Sequence, residues 1–173
     1  TTVNGGGTLA IPAGATLTIS GGSNNDVYFD NVTVSNAGLF RLNQPNSNHV
    51  TVFNNGAVLN NLSTGEIRFS GFNNVLATTA GAGTLNNAGL VSVDGTYINI
   101  NLGTANYATG GVIDAGGSTA YLYSGNNNYS GVLNLKGDVR AYSGTHTWAD
   151  GAVVNGTGVL SQTGGSTVMN NVT

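Results

Sequence analysis

Apolar and polar residues alternate along this chain in packets of four, each introduced by a glycine. The instances are Gly7-TLAI, Gly38-LFRL, Gly65-EIRF, Gly89-LVSV, Gly111-VIDA, Gly131-VLNL and Gly158-VLSQ. Alternation at period two marks a strand with one buried face. Before the packets stand strands ending in asparagine or a small residue: VTVSNA (32–37), AVLNNLST (57–64), GTLNNA (83–88) and VVNGT (153–157). After them come ATLTI (15–19), HVTVF (49–53), TYINI (96–100), TAYLY (119–123), DVRAY (138–142) and STVM (166–169). Strand, turn, strand, turn, strand closes one triangular coil. The packet glycines lie 20 to 31 residues apart along the sequence, a spread that suits a β-helix with variable corners better than a tight repeat code. The expected fold class is therefore all-β: a right-handed parallel β-helix (β-solenoid) of about seven three-stranded coils. Residues 1–173 form it as a single domain, roughly 30–35 Å tall at the spacing of paired strands. The hand follows the general crossover rule.

The alternation also predicts a core. The third packet position gives one inward column, Leu9, Phe40, Ile67, Val91, Ile113, Leu133 and Leu160. The fifth gives a second, Ile11, Leu42, Phe69, Val93, Ala115, Leu135 and then Gln162. The outward column between turn and core reads Thr8, Leu39, Glu66, Leu90, Val112, Val132 and Val159. Its apolar members Leu39, Leu90, Val112, Val132 and Val159 are expected either under a covering loop or in a lateral contact surface. Glycine and asparagine tolerate the positive φ that tight corners need, and stacked asparagines can hydrogen-bond along the axis.

Composition narrows the function. Charged residues make up only 6% of the chain, yet hydrophobic residues reach 39%, which separates it from disordered sequences. Four basic residues and a net charge of -3 leave no basic footprint for nucleic acid. No apolar run is long enough for a membrane-spanning helix, so no membrane insertion is expected. With no cysteine, neither disulfides nor thiolate metal sites exist.

The run NNGAVLNNLSTGEIRF (54–69), followed by GTLNNAGLVSVDG (83–95), resembles the repeats of autotransporter passengers and filamentous-haemagglutinin-like exoproteins. Those families alternate such phrases around a right-handed β-helix. The resemblance is one of repeat style over nearly the whole chain. It implies an extracellular or bacterial cell-surface location, with a role in adhesion, biofilm or surface structure, and carries over no catalytic residue.

Candidate chemistry is sparse. Polysaccharide-cleaving β-helices cluster carboxylates on one face. Here Asp26, Asp30, Glu66, Asp94, Asp114, Asp138 and Asp150 are scattered, with Asp114 placed near Arg68 or Asn134 by the packet register. The expectation is no enzyme, no cofactor and no metal; GGSNNDVYF (21–29) is not a calcium nonapeptide. Threonines such as Thr16 and Thr18 are isolated rather than arrayed for ice. His146 and Trp148 alternate in THTWAD (145–150), either as a sugar platform or as a cover over the last coils. Tyr121 and Tyr123 share a strand face, either as ligand contacts for a glycan or host protein or as packing at a coil boundary. His49 lies in the insert NQPNSNH (43–49), which reads as a surface loop.

The termini, VNGGGTLAIPAGATLTI (3–19) and VNGTGVLSQTGGSTVM (154–169), both read as solenoid phrases without a cap. Open β-edges invite pairing. The expected partners are the chain itself, stacked head to tail through Val3, Leu9, Ile11, Leu17, Val154, Leu160 and Val168, or neighbouring coils of a longer chain.

Overall fold

A computed structural model describes residues 1–20, 26–44, 50–72, 74–79 and 82–170. The GGSNN part of the 21–29 run and the insert beyond Gln44, His49 included, lie outside the described residues.

Among the described residues the regular structure is strand throughout, and they wind as a parallel β-solenoid of seven coils with an eighth begun. Coil one is β1 (Thr2–Asn4), β2 (Thr8–Ile11) and β3 (Thr16–Ser20); coil two is β4 (Val27–Asp30), β5 (Thr33–Asn36) and β6 (Leu39–Gln44). Coil three is β7 (Val50–Asn54), β8 (Val58–Asn61) and β9 (Glu66–Gly71); coil four is β10 (Asn74–Ala77), β11 (Thr84–Asn87) and β12 (Leu90–Val93). Coil five opens with β13 (Tyr97–Asn101) and β14 (Thr104–Tyr107). From there β15 (Val112–Leu122) bends into coil six, which passes through β16 (Asn126–Tyr129) into β17 (Val132–Ala141). Coil seven takes the end of β17 with β18 (Thr145–Trp148) and β19 (Val153–Gly156). The eighth begins with β20 (Val159–Gln162) and β21 (Ser166–Met169).

Three faces result. The first stacks β1, β4, β7, β10, β13, the ends of β15 and β17, and β20. The second stacks β2, β5, β8, β11, β14, β16, β18 and β21. The third stacks β3, β6, β9, β12 and the starts of β15 and β17, with β19 last. Because β15 and β17 round their corner without breaking, the first and third faces form one 13-stranded sheet beside an 8-stranded one. Gly116 and Gly137, both at positive φ, sit where these strands turn, and the register shifts between Asp114 and Thr119.

Inward side chains form columns, as the alternation requires. On the third face Leu17, Phe40, Ile67, Val91, Ile113 and Leu135 stand in register. On the second, Leu9, Val34, Leu59, Leu85 and Ala105 do the same. Phe29 stacks on Phe53 at 4.8 Å between centroids and meets Phe40 edge-on at 6.0 Å. Nearly all of these side chains are fully buried, each worth about 1.5–3 kcal/mol over exposure.

The predicted columns need three corrections. Gly7-TLAI is a second-face strand paired with Thr33–Asn36, so Leu9 and Ile11 do not stand under Phe40 and Leu42. Ile113 pairs with Leu135 rather than Leu133, because β17 enters the third face two residues early. Gly158-VLSQ belongs to the first face, where Leu160 stacks on Val139 and Gln162 on Ala141. The outward apolar column shrinks accordingly. Leu39, Leu90 and Val112 share it with Glu66, whereas Val132 pairs with Val153 and Val159 with Asp138.

The glycines heading β6, β9 and β12 are required by a close approach of backbones. A Cβ on Gly65 would lie 2.3 Å from the Asn36 carbonyl oxygen, and one on Gly89 would lie 2.3 Å from both the Gly65 and Leu62 oxygens. Gly117 has open space around its Cβ position. Gly89→Ala is expected to cost more than about 2 kcal/mol of unfolding free energy, while Gly117→Ala stays within about 0.5 kcal/mol. Urea titrations followed by Trp148 fluorescence measure both.

Candidate functional site

The inner side of the second face decides what the outer faces can offer. After Ile11, its second inward column reads Asn36, Asn61, Asn87, Tyr107, Tyr129, Trp148 and Met169. Asn36 Nδ2 donates to Asn61 Oδ1 at 2.8 Å, and Asn61 Nδ2 to Asn87 Oδ1 at 2.7 Å. Asn36 and Asn61 also donate to the carbonyls of Glu66 and Leu90, clamping the corner before the third face. The chain of amides ends in an unpartnered acceptor on Asn36 and an unpartnered donor on Asn87. From there aromatic stacking takes over: Tyr107 on Tyr129 at 5.2 Å and Tyr129 on Trp148 at 4.0 Å.

His146 belongs to the same interior. It stands in the other inward column, over Asn127, where its Nδ1 meets the Tyr129 hydroxyl at 2.9 Å and its Nε2 meets the Ser143 carbonyl at 3.0 Å. A carbonyl only accepts, so Nε2 carries the proton and Nδ1 accepts from Tyr129. With His146 1% and Trp148 5% exposed, both rings are core, which favours the cover over the last coils and not the sugar platform. Every polar atom of the imidazole is satisfied inside.

Outside, the faces differ in chemistry. On the first face Tyr121 stands between Asn99 and Arg140 in register, with Ser161 beyond. Tyr97 and Tyr142 meet the Tyr121 ring edge-on at 5.8 and 6.1 Å, and Tyr123 packs on Tyr142 at 4.7 Å. The Arg140 guanidinium lies 5.7 Å from the Tyr121 centroid and pairs with Asp138 at 2.6 Å. Partial burial and the neighbouring phenols raise the pKa of Tyr123. Tyr121 and Tyr123 fall together as expected; Tyr97, Tyr142 and Arg140 join them only because three coils are stacked.

The third face gathers charge. Its second outward column reads Thr18, Arg41, Arg68, Ser92, Asp114 and Lys136. Arg68 makes a two-pronged contact with Glu66 at 2.8 and 2.9 Å, and the Ser92 hydroxyl donates to the same carboxylate. The Arg68 hydrogen bond, outweighing burial, holds the Glu66 pKa below its ordinary value. Asp114 lies by Lys136 at 3.2 Å, correcting the Arg68 or Asn134 neighbourhood expected for it. Among the described residues no three histidine or acidic side chains converge as a metal site would require.

The second face is uncharged. One outward column is Thr8, Thr33, Val58, Thr84, Thr104, Asn126, Thr145 and Ser166; the other includes Asn60, Asn86, Asn106 and Asn128. Thr16 and Thr18 lie on the third face beside Leu39 and Arg41 and stay isolated there, while the second-face threonine column is interrupted by Val58 and Asn126. Asn86, Asn106 and Asn128 each donate from Nδ2 to the Oδ1 one coil back, at 2.8 Å. This outer ladder runs opposite in sense to the inner one.

At the ends, Val3, Leu9, Leu17, Val154 and Leu160 continue inward columns. Val168 instead points outward beside Thr147, and Thr167 and Met169 take the inward places.

Fold and exterior define a β-solenoid repeat protein with three chemically distinct faces. No protein-family model matches the chain, and neither does any curated protein or solved structure.

Burial depresses the His146 pKa below its ordinary value, with the Ser143 hydrogen bond opposing. The unfolded chain therefore takes up the proton first as pH falls below about 6.5. Stability is full above that value and is lost on descent toward the folded-state pKa. Unfolding free energy should drop between pH 7.5 and 5.5, and His146→Gln should flatten that slope; an unchanged slope would remove His146 as its source.

Proposed function

We propose that this chain is a non-catalytic structural and adhesive β-solenoid of an extracellular or bacterial cell-surface protein, in the style of autotransporter passengers and haemagglutinin-like exoproteins. Its contact surface is the tyrosine patch of the first face, and the partner is a glycan or a protein on another surface. The observation that carries this reading is the meeting of Tyr97, Tyr121, Tyr123 and Tyr142 around an ion-paired Arg140. Tyrosine brings large contact area at low entropic cost, and tyrosine with arginine dominates binding hot spots. No core need explains the cluster, since Tyr142 is 46% exposed. Surface-plasmon screening against glycans and extracellular-matrix proteins should find a ligand whose affinity falls at least tenfold in Tyr121→Ala and Tyr142→Ala. Equal binding by these variants would move the contact elsewhere.

A second reading concerns the end faces. Among the described residues, β1, β2 and β3 at one end and β19, β20 and β21 at the other pair on one side only, and Val154 and Met169 are exposed there. A further β-coil, of a second copy or of a longer chain, would complete those ladders. Light scattering and negative-stain microscopy over a concentration series should show axial growth that Met169→Lys suppresses. Monodisperse particles at every concentration would refute stacking between copies.

A further inference from the structure

We infer that Asn155 is a site of spontaneous covalent modification, deamidation through a cyclic imide, against which the fold guards the same dipeptide elsewhere. Asn-Gly occurs three times, as Asn4-Gly5, Asn55-Gly56 and Asn155-Gly156. In each, the glycine nitrogen attacks the asparagine side-chain carbonyl carbon once base has removed the peptide N–H proton. A C–N bond forms, the bond to the side-chain nitrogen breaks, and ammonia leaves. Water then opens the succinimide at either carbonyl, giving aspartate or isoaspartate. Glycine allows the closure because it has no Cβ in the way.

All six residues are exposed, so access to water does not separate the three sites. What separates them is the hold on the attacking nitrogen and on the backbone around it. Asn55 and Gly56, at φ 53° and 78°, are the central pair of a type I′ turn. The Ala57 N–H closes that turn on the Asn54 carbonyl at 3.0 Å, and the Gly56 N–H donates to the Ala82 carbonyl at 3.1 Å. The Asn55 amide donates to Asp30 at 2.7 Å. Nucleophile, backbone and leaving group are each tied down.

The other two sites lie in strands, where successive residues turn their N–H and C=O groups to opposite neighbours. The Thr1 carbonyl accepts from the Tyr28 N–H, so Gly5, four residues on, also turns toward β4. Asn155 is the reverse case. The Val153 N–H donates to the Gly131 carbonyl, and Asn155, paired with Asn134, faces β17 in the same phase. Gly156 therefore turns its N–H away from β17, to the edge where β19 has no second partner among the described residues. Val154, Asn155, Gly156 and Thr157 are all exposed. Ring closure needs rotation about the Asn155 Cα–C bond, and a strand held on one edge opens locally at small cost.

Conversion places a carboxylate on this edge, and the isoaspartyl product adds a methylene to the backbone of β19. Both changes spoil the edge for a further coil. That effect on stacking rests on the end-face reading; the conversion itself does not, and is read by mass rather than by light scattering.

The full chain, dilute enough that light scattering shows single particles, is incubated at mildly alkaline pH, folded and in guanidinium chloride. Proteolytic digestion and peptide mass spectrometry follow the three sites, and isoaspartyl methyltransferase labelling identifies the product. In denaturant the three rates should agree, since each site is Asn-Gly. In the folded chain Asn155 should convert at least tenfold faster than Asn55, with Asn4 between them, and faster still as pH rises. Equal protection of Asn155 and Asn55 in the folded chain overturns the proposal, as does conversion of Asn55 ahead of Asn155.

Discussion

Parallel, in-register pairing is the constraint on which the rest of this structure depends. Each side chain stands directly above and below its counterparts, about 4.8 Å away, so a residue must be compatible with its own kind. Aliphatic side chains meet this condition anywhere. Asparagine meets it because one amide donates and accepts in the stacking direction, and aromatic rings meet it by stacking. Like charges do not, and charge is only 6% of the chain. Where Arg41 and Arg68 do stack, each turns aside, Arg41 to the Ser70 hydroxyl and Arg68 to Glu66.

The inner column of the second face shows how one position can change its chemistry along the axis without breaking the rule. Amides occupy coils two to four, aromatic rings coils five to seven. The change leaves the terminal amide donor of Asn87 and the buried hydroxyl of its neighbour Tyr107 both without partners. What is gained at each end differs. The amides fix a corner by bonding third-face carbonyls, and the rings fill the interior where coils are shorter. Thr8 to Thr33 is 25 residues, whereas Asn126 to Thr145 is 19.

With the core built from columns, the outside divides into stripes. Tyrosines collect on the first face, uncharged amides and hydroxyls on the second, ion pairs and a short apolar column on the third. Each stripe repeats with the coil, so a ligand that is itself flat or periodic can meet several equivalent groups at once. A rigid scaffold displaying repeated weak contacts is the physical content of an adhesive role, in which modest contacts combine.

Strands, glycine corners and the count of about seven coils were legible in the sequence, because period-two alternation and positive-φ residues act locally. So were most buried positions: Phe40, Ile67, Val91 and Ile113 are inward by parity alone. Which face a strand joins was not legible, since Gly7-TLAI, Gly89-LVSV and Gly158-VLSQ look alike while occupying three different faces. Only the number of residues absorbed at each corner separates them, and that follows from backbone closure around the whole coil. The same limit hid the partners of Tyr121 and the outer asparagine ladder, whose members lie 20 to 26 residues apart. It also left His146 and Trp148 between platform and cover, a choice that burial decides. Neighbouring coils satisfy or cover their polar atoms, and a single strand cannot reveal that.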